Sequence, residues 1–277
     1  MVQSLSTIRD YFLVKFPWRV ALVVFLVALV GTWMYFSPNG FLGKADAIGY
    51  AVCHRIGSRS FFIGDTQFSV CARCTGQYLG AVLGILFLMV FRRYRSERPP
   101  WFVIGILLVW GIVYVVDGFN SFLHLIPGTE RLWLYEPSNS LRLITGFGVG
   151  LGISIMLFPA FNQTIWKRTD RRPILDGMGD FGVLVILALV LIVLILRGNP
   201  IVLYPLSLIS AGGVLLLLTM VYSMVWVMVF RVEGSFFNFR QYFFPLLAGF
   251  STALIQILII DLFRYLATGT WGEFLLG

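Results

Sequence analysis

Seven apolar runs, separated by short polar or basic segments, dominate the pattern along the chain: Trp18–Phe36, Val70–Phe91, Trp101–Leu125, Asn139–Phe161, Met178–Leu196, Ile201–Phe230 and Tyr242–Phe263. A helix needs about 20 mainly apolar residues to cross a hydrocarbon core, and each run approaches or exceeds that length. The fifth and sixth are separated only by Arg197-Gly198-Asn199-Pro200, which reads as a tight turn. The sixth is too long for one straight span, so it kinks near Pro205 or tilts. The pattern predicts an all-α fold, a polytopic transmembrane helical bundle of about seven spans, with six as the competing count.

Composition points the same way. Hydrophobic residues make up 58% of the chain and charged residues only 12%, against about 25% charged in an ordinary soluble domain. A surface with so few charges must face lipid, which excludes a soluble enzyme. The net charge of +8 would suggest nucleic acid in a soluble chain. Here the cations sit in short clusters between apolar runs, so they read as topology signal and imply no nucleic-acid partner. The first run exceeds a typical signal-peptide core. Ala45-Asp46-Ala47 loosely resembles a cleavage site, but the run is read as a retained span.

The basic clusters set an orientation. Arg9, Lys15 and Arg19 flank the first run. Arg92, Arg93, Arg95 and Arg98 follow the second, Lys167, Arg168, Arg171 and Arg172 the fourth, and Arg231 and Arg240 bracket the segment before the last. With seven alternating helices all four regions fall on one side, which the positive-inside rule makes cytoplasmic. The N-terminus is then cytoplasmic and the C-terminus extracytoplasmic, in a multi-pass cell-membrane protein. The outer loops differ. Residues 37–69 form a long loop of mixed charge and 126–138 a second; long loops of this kind are often functional or partly re-entrant.

Glycine spacing predicts packing. Gly76, Gly80 and Gly84 repeat every four residues in the second span, and Gly146, Gly148, Gly150 and Gly152 line the fourth. Small-xxx-small faces let helix backbones approach closely in lipid, so these two spans are expected to touch.

Three segments carry candidate chemistry. The first holds Cys53-His54, Arg59, and Cys71-Ala72-Arg73-Cys74 followed by Gln77. Two thiols at i and i+3 share a helical face, and a C-x₂-C pair is a common zinc half-site that Cys53 and His54 could complete as a Cys₃His set. His124 is the other histidine and could replace His54. A redox pair at Cys71 and Cys74 competes with metal, because a helix N-terminus and Arg73 both favour thiolate. Cysteines that are simply packed or paired are the third reading. The second segment is the end of the third span, where Tyr114, Asp117, Ser121 and His124 lie along one face beside Asn120. A carboxylate within an apolar run is expensive and faces the bundle interior, a cavity or a partner. The third segment opens the fourth span with Asn139, Arg142 and Thr145, and Arg142 is the expected partner of Asp117. All three segments converge on the same outer leaflet. Arg59, Arg73 and Arg142 make the site cationic, suited to an anionic head group or a phosphate-bearing small molecule. Gln256, Asp261 and Arg264 in the last span read as packing or interface residues.

At these residues the chain resembles a family of bacterial and archaeal membrane proteins defined by a domain of unknown function. The resemblance runs through Cys53-His54, Arg59-Ser60-Phe61, Gly64, Cys71-Ala72-Arg73-Cys74-Thr75-Gly76, Tyr78 and Gly80, then Asp117-Gly118, Ser138-Asn139, Arg142 and Thr145-Gly146. Asn120 departs from the glutamine that the pattern would place there. The resemblance implies that these residues belong together; it implies no reaction.

The resulting division is residues 1–44 (tail, first span and start of the outer loop), 45–165 (a core with the Cys/His loop and three spans) and 166–277 (an extension of about three spans). The expected function is a zinc-binding membrane protein with an outward-facing polar site. Asp117 and His124 are its acid/base candidates if it is catalytic, and Arg142 its anion holder. The alternatives are a thiol oxidoreductase and a transporter or lipid-handling protein gated by an Asp–Arg pair. No Walker loop, H-E-x-x-H or G-x-S-x-G occurs, which argues against nucleotide hydrolysis, zincin proteolysis and α/β-hydrolase chemistry.

Overall fold

In lipid every backbone N–H and C=O must be satisfied internally, which leaves the helix as the solution for apolar runs of this length. A computed structural model describes residues 16–272. Arg9 and Lys15 of the expected N-terminal basic cluster lie outside the described residues. Among the described residues eight α-helices follow in chain order: α1 (Phe16–Phe36), α2 (Gly40–Val52), α3 (Ala72–Phe91), α4 (Trp101–Leu123), α5 (Asn139–Ile165), α6 (Met178–Leu196), α7 (Pro200–Val229) and α8 (Phe239–Thr268). Seven of them, all but α2, are long and apolar enough to cross a membrane. The fold is thus an all-α polytopic bundle, and the seven-span count prevails over six. Helix α7 runs through Pro205 in its first turns without a break. Its 30 residues would extend about 45 Å, beyond the roughly 30 Å of a hydrocarbon core.

The region 37–69 is more ordered than its sequence suggests. It contains α2, packed on α7 and α8, and a short hairpin of β1 (Phe62–Ile63) and β2 (Thr66–Gln67) turning at Gly64, where φ is +59°. At the opposite end of the bundle, β3 (Arg95–Glu97) pairs in parallel with β4 (Asp170–Pro173). Part of the basic cluster there has a structural role. The Arg92 Nη2 lies 2.8 Å from Asp180 and 2.9 Å from Asp176, and Arg95 pairs with Asp176.

Helices α3 and α5 form the closest-packed pair, as the glycine spacing predicts. A Cβ on Gly76 would lie 2.2 Å from the Leu143 carbonyl oxygen, and one on Gly146 would lie 2.2 Å from that of Arg73. Further along the same seam, a Cβ on Gly150 would lie 2.1 Å from the Gln77 carbonyl oxygen. Around this pair the fully buried Leu88, Leu143, Ile155 and Leu184 join α3, α5 and α6 in one apolar core. Helix α4 is nearly inverted relative to a soluble helix. Its Ile112 is 63% exposed, whereas Asp117, Asn120 and Ser121 are at most 1% exposed. Apolar side chains there face lipid and polar ones face protein.

The seam gives a direct test. Gly146→Ala forces a carbon into the Arg73 carbonyl and is expected to cost about 1–3 kcal/mol, the usual range for overpacking. Gly111→Ala on α4, where nothing lies within 4 Å, is expected to stay within about 0.5 kcal/mol. Unfolding of the two variants in detergent measures the contrast.

Candidate functional site

The site forms where the C-terminus of α2 meets the N-terminus of α3. Cys53 ends α2, its N–H donating to the Gly49 carbonyl at 2.9 Å, and Cys71 occupies the N-cap of α3. The two ends are pressed together because residue 49 is glycine: a Cβ there would lie 1.7 Å from the Ser69 carbonyl oxygen. The connection folds back tightly. Arg55 adopts a left-handed conformation (φ +53°), sparsely populated by residues other than glycine, and its guanidinium pairs with Asp46 at 3.1 Å. The Gln67 amide donates to the Arg55 carbonyl at 2.9 Å and to Ser60 Oγ at 2.8 Å.

This geometry brings three sulfurs together. The Sγ atoms of Cys53, Cys71 and Cys74 all lie within 4.8 Å of one another, and the Cys71 N–H donates to Cys53 Sγ at 3.2 Å. All three thiols are unpaired, with Cys53 and Cys71 buried and Cys74 half-buried. Tetrahedral coordination with zinc–sulfur bonds near 2.3 Å separates sulfurs by about 3.8 Å, so three such cysteines could hold one ion. Hydrogen bonding divides the thiols. Donation from Cys53 and Cys74 pushes Cys71 well below the usual thiol range. Cys53, donating to Cys71, is pushed up to about 12. His54 Nδ1 lies 3.5 Å from Cys53 Sγ. His124 is placed differently. Its ring stacks on Trp133 at 3.9 Å, its Nδ1 lies 2.9 Å from the Asn120 carbonyl, and its Nε2 is buried without a partner.

A polar network lies beside the sulfurs. Asp117, 1% exposed, pairs with Arg73. Arg142 is not within ion-pair distance of it and instead donates to Asn139 Oδ1 at 2.7 Å. This corrects the pairing expected from sequence. Spacing alone offers Asp117 two arginines at the same end of the bundle; it is the Arg73 side chain that reaches α4, where its guanidinium also lies over the Tyr114 ring at 5.6 Å. The other Asp117 oxygen accepts from Tyr135 Oη at 2.8 Å, and Thr145 Oγ1 lies 3.5 Å from the first. Tyr135 is delivered by Asn120, whose side chain donates to the Tyr135 carbonyl at 2.8 Å and accepts from Leu134 N–H at 2.9 Å. Burial and the bond to Asp117 push the Tyr135 phenol up to about 12, keeping it a donor.

Arg59 and Arg142 complete the cluster. Arg59 donates to the Ser121 carbonyl, and burial together with neighbouring Arg142 and Arg73 lowers its pKa. Asn139 donates to the carbonyls of Ser58 and Ser60 at 3.3 and 3.2 Å, tying the Arg59 turn to α5. Gln77 accepts from Tyr114 Oη at 3.1 Å one turn below Arg73. Three guanidiniums therefore surround one carboxylate.

Two contributors were not read as site residues. Arg264 of α8 reaches back across the bundle and donates to the carbonyls of Tyr50 and Cys53, the latter at 2.6 Å, and to that of His54 at 3.3 Å. Its sequence signal is a cation one turn after buried Asp261, and its place near a helix end favours an interface reading. Tyr135 has no periodic signal at all. Gln256, by contrast, accepts from Tyr222 Oη at 2.5 Å between α7 and α8, a packing role.

The family model described as predicted membrane protein (DUF2085) matches residues 53–156. That segment begins at Cys53 and takes in Arg59, Cys71, Arg73, Cys74, Asp117 and Arg142. Uncharacterized protein MJ1492 of Methanocaldococcus jannaschii is 32% identical over 124 residues, covering 44% of this chain and 71% of that protein. An uncharacterized protein of Methanothermobacter thermautotrophicus is 33% identical over 105 residues, covering 38% of this chain and 83% of that protein. No solved structure matches the chain.

The charge count makes the network asymmetric. Asp117→Asn removes the only ion-paired carboxylate among three guanidiniums and is expected to cost about 3–5 kcal/mol, as for a buried pair that loses one partner. Arg73→Gln should cost clearly less, because Tyr135, Thr145 and the nearby Arg142 still serve Asp117. Denaturation in detergent compares them; equal losses would contradict the asymmetry.

Proposed function

The chain belongs to the membrane-protein family described as predicted membrane protein (DUF2085), and from that premise we propose that it holds one zinc ion in a Cys₃His site beside a cationic, anion-accepting pocket. The carrying observation is the mutual approach of the three sulfurs within 4.8 Å. A disulfide would draw two sulfurs to about 2.05 Å and leave the third outside, whereas a triangle of unpaired thiols suits a shared ion. Cys53, Cys71 and Cys74 are the thiolate ligands; His54 is the fourth, favoured over His124 because its Nδ1 lies 3.5 Å from Cys53 Sγ, although it stands outside the group that the three sulfurs form. Four protein ligands make a closed site whose role is structural; three with an open position would make it catalytic. Closure suits this chain, because the ion would fasten α2 to α3 while Arg264 orients the backbone of the same loop.

Zinc with three thiolates and one neutral imidazole carries a net charge of −1, which offsets part of the positive charge of Arg59, Arg73 and Arg142. The remaining excess supports an anionic lipid or small molecule as the partner. Asp117, His124 and Arg142 remain the candidates if the site is catalytic, with Asn120, Asn139, Thr145 and Gln77 positioning them. Residues 45–165 act as the site-bearing core, and 166–277 as an extension that contributes Arg264. The basic residues opposite the cysteine end, Arg93, Arg98, Lys167, Arg168 and Arg171 among them, support a cytoplasmic N-terminus in the cell membrane, with the metal site facing outward. The thiol-oxidoreductase and Asp–Arg-gated transporter readings stand second, because neither accounts for the third thiol.

Elemental analysis of detergent-purified protein is expected to give one zinc per chain, lost in Cys71→Ser and in Cys53→Ser. Metal-free protein whose Cys71 and Cys74 resist alkylation until reduced would establish the redox reading instead. For orientation, a cysteine introduced at Asp65, in the exposed hairpin turn, should react with an impermeant maleimide in intact cells, and one at Arg168 only after permeabilisation. The reverse pattern would invert the topology.

A further inference from the structure

An open cleft of about 580 Å³ lies against the candidate metal loop. Its lining combines Cys53, His54 and the guanidinium-bearing Arg59, Arg73 and Arg264 with the apolar Phe122, Leu125 and Ile260. The two kinds of lining ask for different halves of one ligand. Among the described residues, neither Arg59 nor Arg142 has a carboxylate within ion-pair distance, and Asp117 is already taken by Arg73. The Nε atoms of Arg73 and Arg142 are buried without a hydrogen-bond partner. Buried guanidiniums in excess of their counterions are costly, and planar N–H forks match phosphate oxygens.

Depth along the bundle narrows the source of that phosphate. Arg73 is the second residue of α3, Arg264 lies one turn before the end of α8 at Thr268, and Phe122 is the penultimate residue of α4. These are helix ends, the level at which a bilayer's own phosphates lie. Phe122 is 54% exposed on α4, and on a membrane helix such surface faces acyl chains; Leu125, two residues beyond the helix, is 37% exposed.

We infer that this cleft binds the phosphate of an anionic amphiphile, with the head group on Arg59, Arg73 and Arg264 and the chain along Phe122, Leu125 and Ile260. This deepens the anion-accepting part of the function proposed above and does not depend on the metal. Arg264 joins the two, since the same guanidinium donates to the Tyr50, Cys53 and His54 carbonyls.

The test is competitive binding to the purified full-length chain in neutral detergent, using phosphatidic acid, phosphatidylcholine, glycerol 3-phosphate and inorganic phosphate as probes, with zinc measured on the same samples. Phosphatidic acid is expected to bind at least tenfold tighter than phosphatidylcholine and than either chainless phosphate. Arg59→Gln should weaken it at least tenfold without changing zinc content, and Phe122→Ser should weaken phosphatidic acid but not inorganic phosphate. Equal binding of the two lipids overturns the inference. Chainless phosphates binding as well as phosphatidic acid overturn the amphiphile and assign the cleft to a soluble phosphate. The wild-type comparison decides both points even if Arg59→Gln fails to fold. Selective lipid binding without zinc would defeat only the metal proposal; stoichiometric zinc without selectivity would defeat only this one.

Discussion

The contact between α3 and α5 leaves no room for a single side-chain carbon, and the site takes its position from it. Gly146 sits against the carbonyl of Arg73, and Gly76 against that of Leu143. Arg73 and Cys74 are thereby fixed on one side of the seam, and Arg142 and Thr145 on the other. The neighbouring elements then attach through specific contacts: Gly49 seats α2 on the approach to Cys71, Asn139 ties the Arg59 turn to α5, and Asn120 draws Tyr135 onto Asp117. Van der Waals packing of small residues supplies the rigidity in a solvent where apolar burial between helices contributes little.

That rigidity bears on how buried charge is tolerated. Asp117 is satisfied by Arg73, Tyr135 and Thr145, but among the described residues Arg59 and Arg142 are held by neutral oxygens. A flexible bundle would let such guanidiniums swing to the interface; here Asn139 and the Ser121 carbonyl pin them. The sulfur cluster and the arginine cluster are thus neighbours of opposite tendency: on the proposed reading, a bound cation would stabilise one and a bound anion the other.

Much of this was legible in the sequence because lipid imposes a simple code. The seven runs emerged at nearly their observed limits, and the four-residue glycine repeats of α3 and α5 named the touching pair. The grouping of Cys53, Cys71 and Cys74 followed from a C-x-x-C with a third cysteine nearby. What escaped needed three-dimensional knowledge. Helix α2 is short and weakly patterned inside a polar-looking loop. The choice of Arg73 over Arg142 for Asp117 depends on helix rotation. The reach of Arg264 to Cys53 crosses more than 200 positions, and no local pattern announces it. Arg92 and Arg95 looked like pure topology signal, yet they also clamp Asp176 and Asp180.

On the proposed reading, three thiols and one imidazole share a single ion. Zinc K-edge X-ray absorption of the purified protein addresses it directly. Three sulfurs near 2.3 Å and one nitrogen near 2.0–2.1 Å are expected around the ion. A shell of oxygen and nitrogen only, or sulfur absent from it, would contradict the claim.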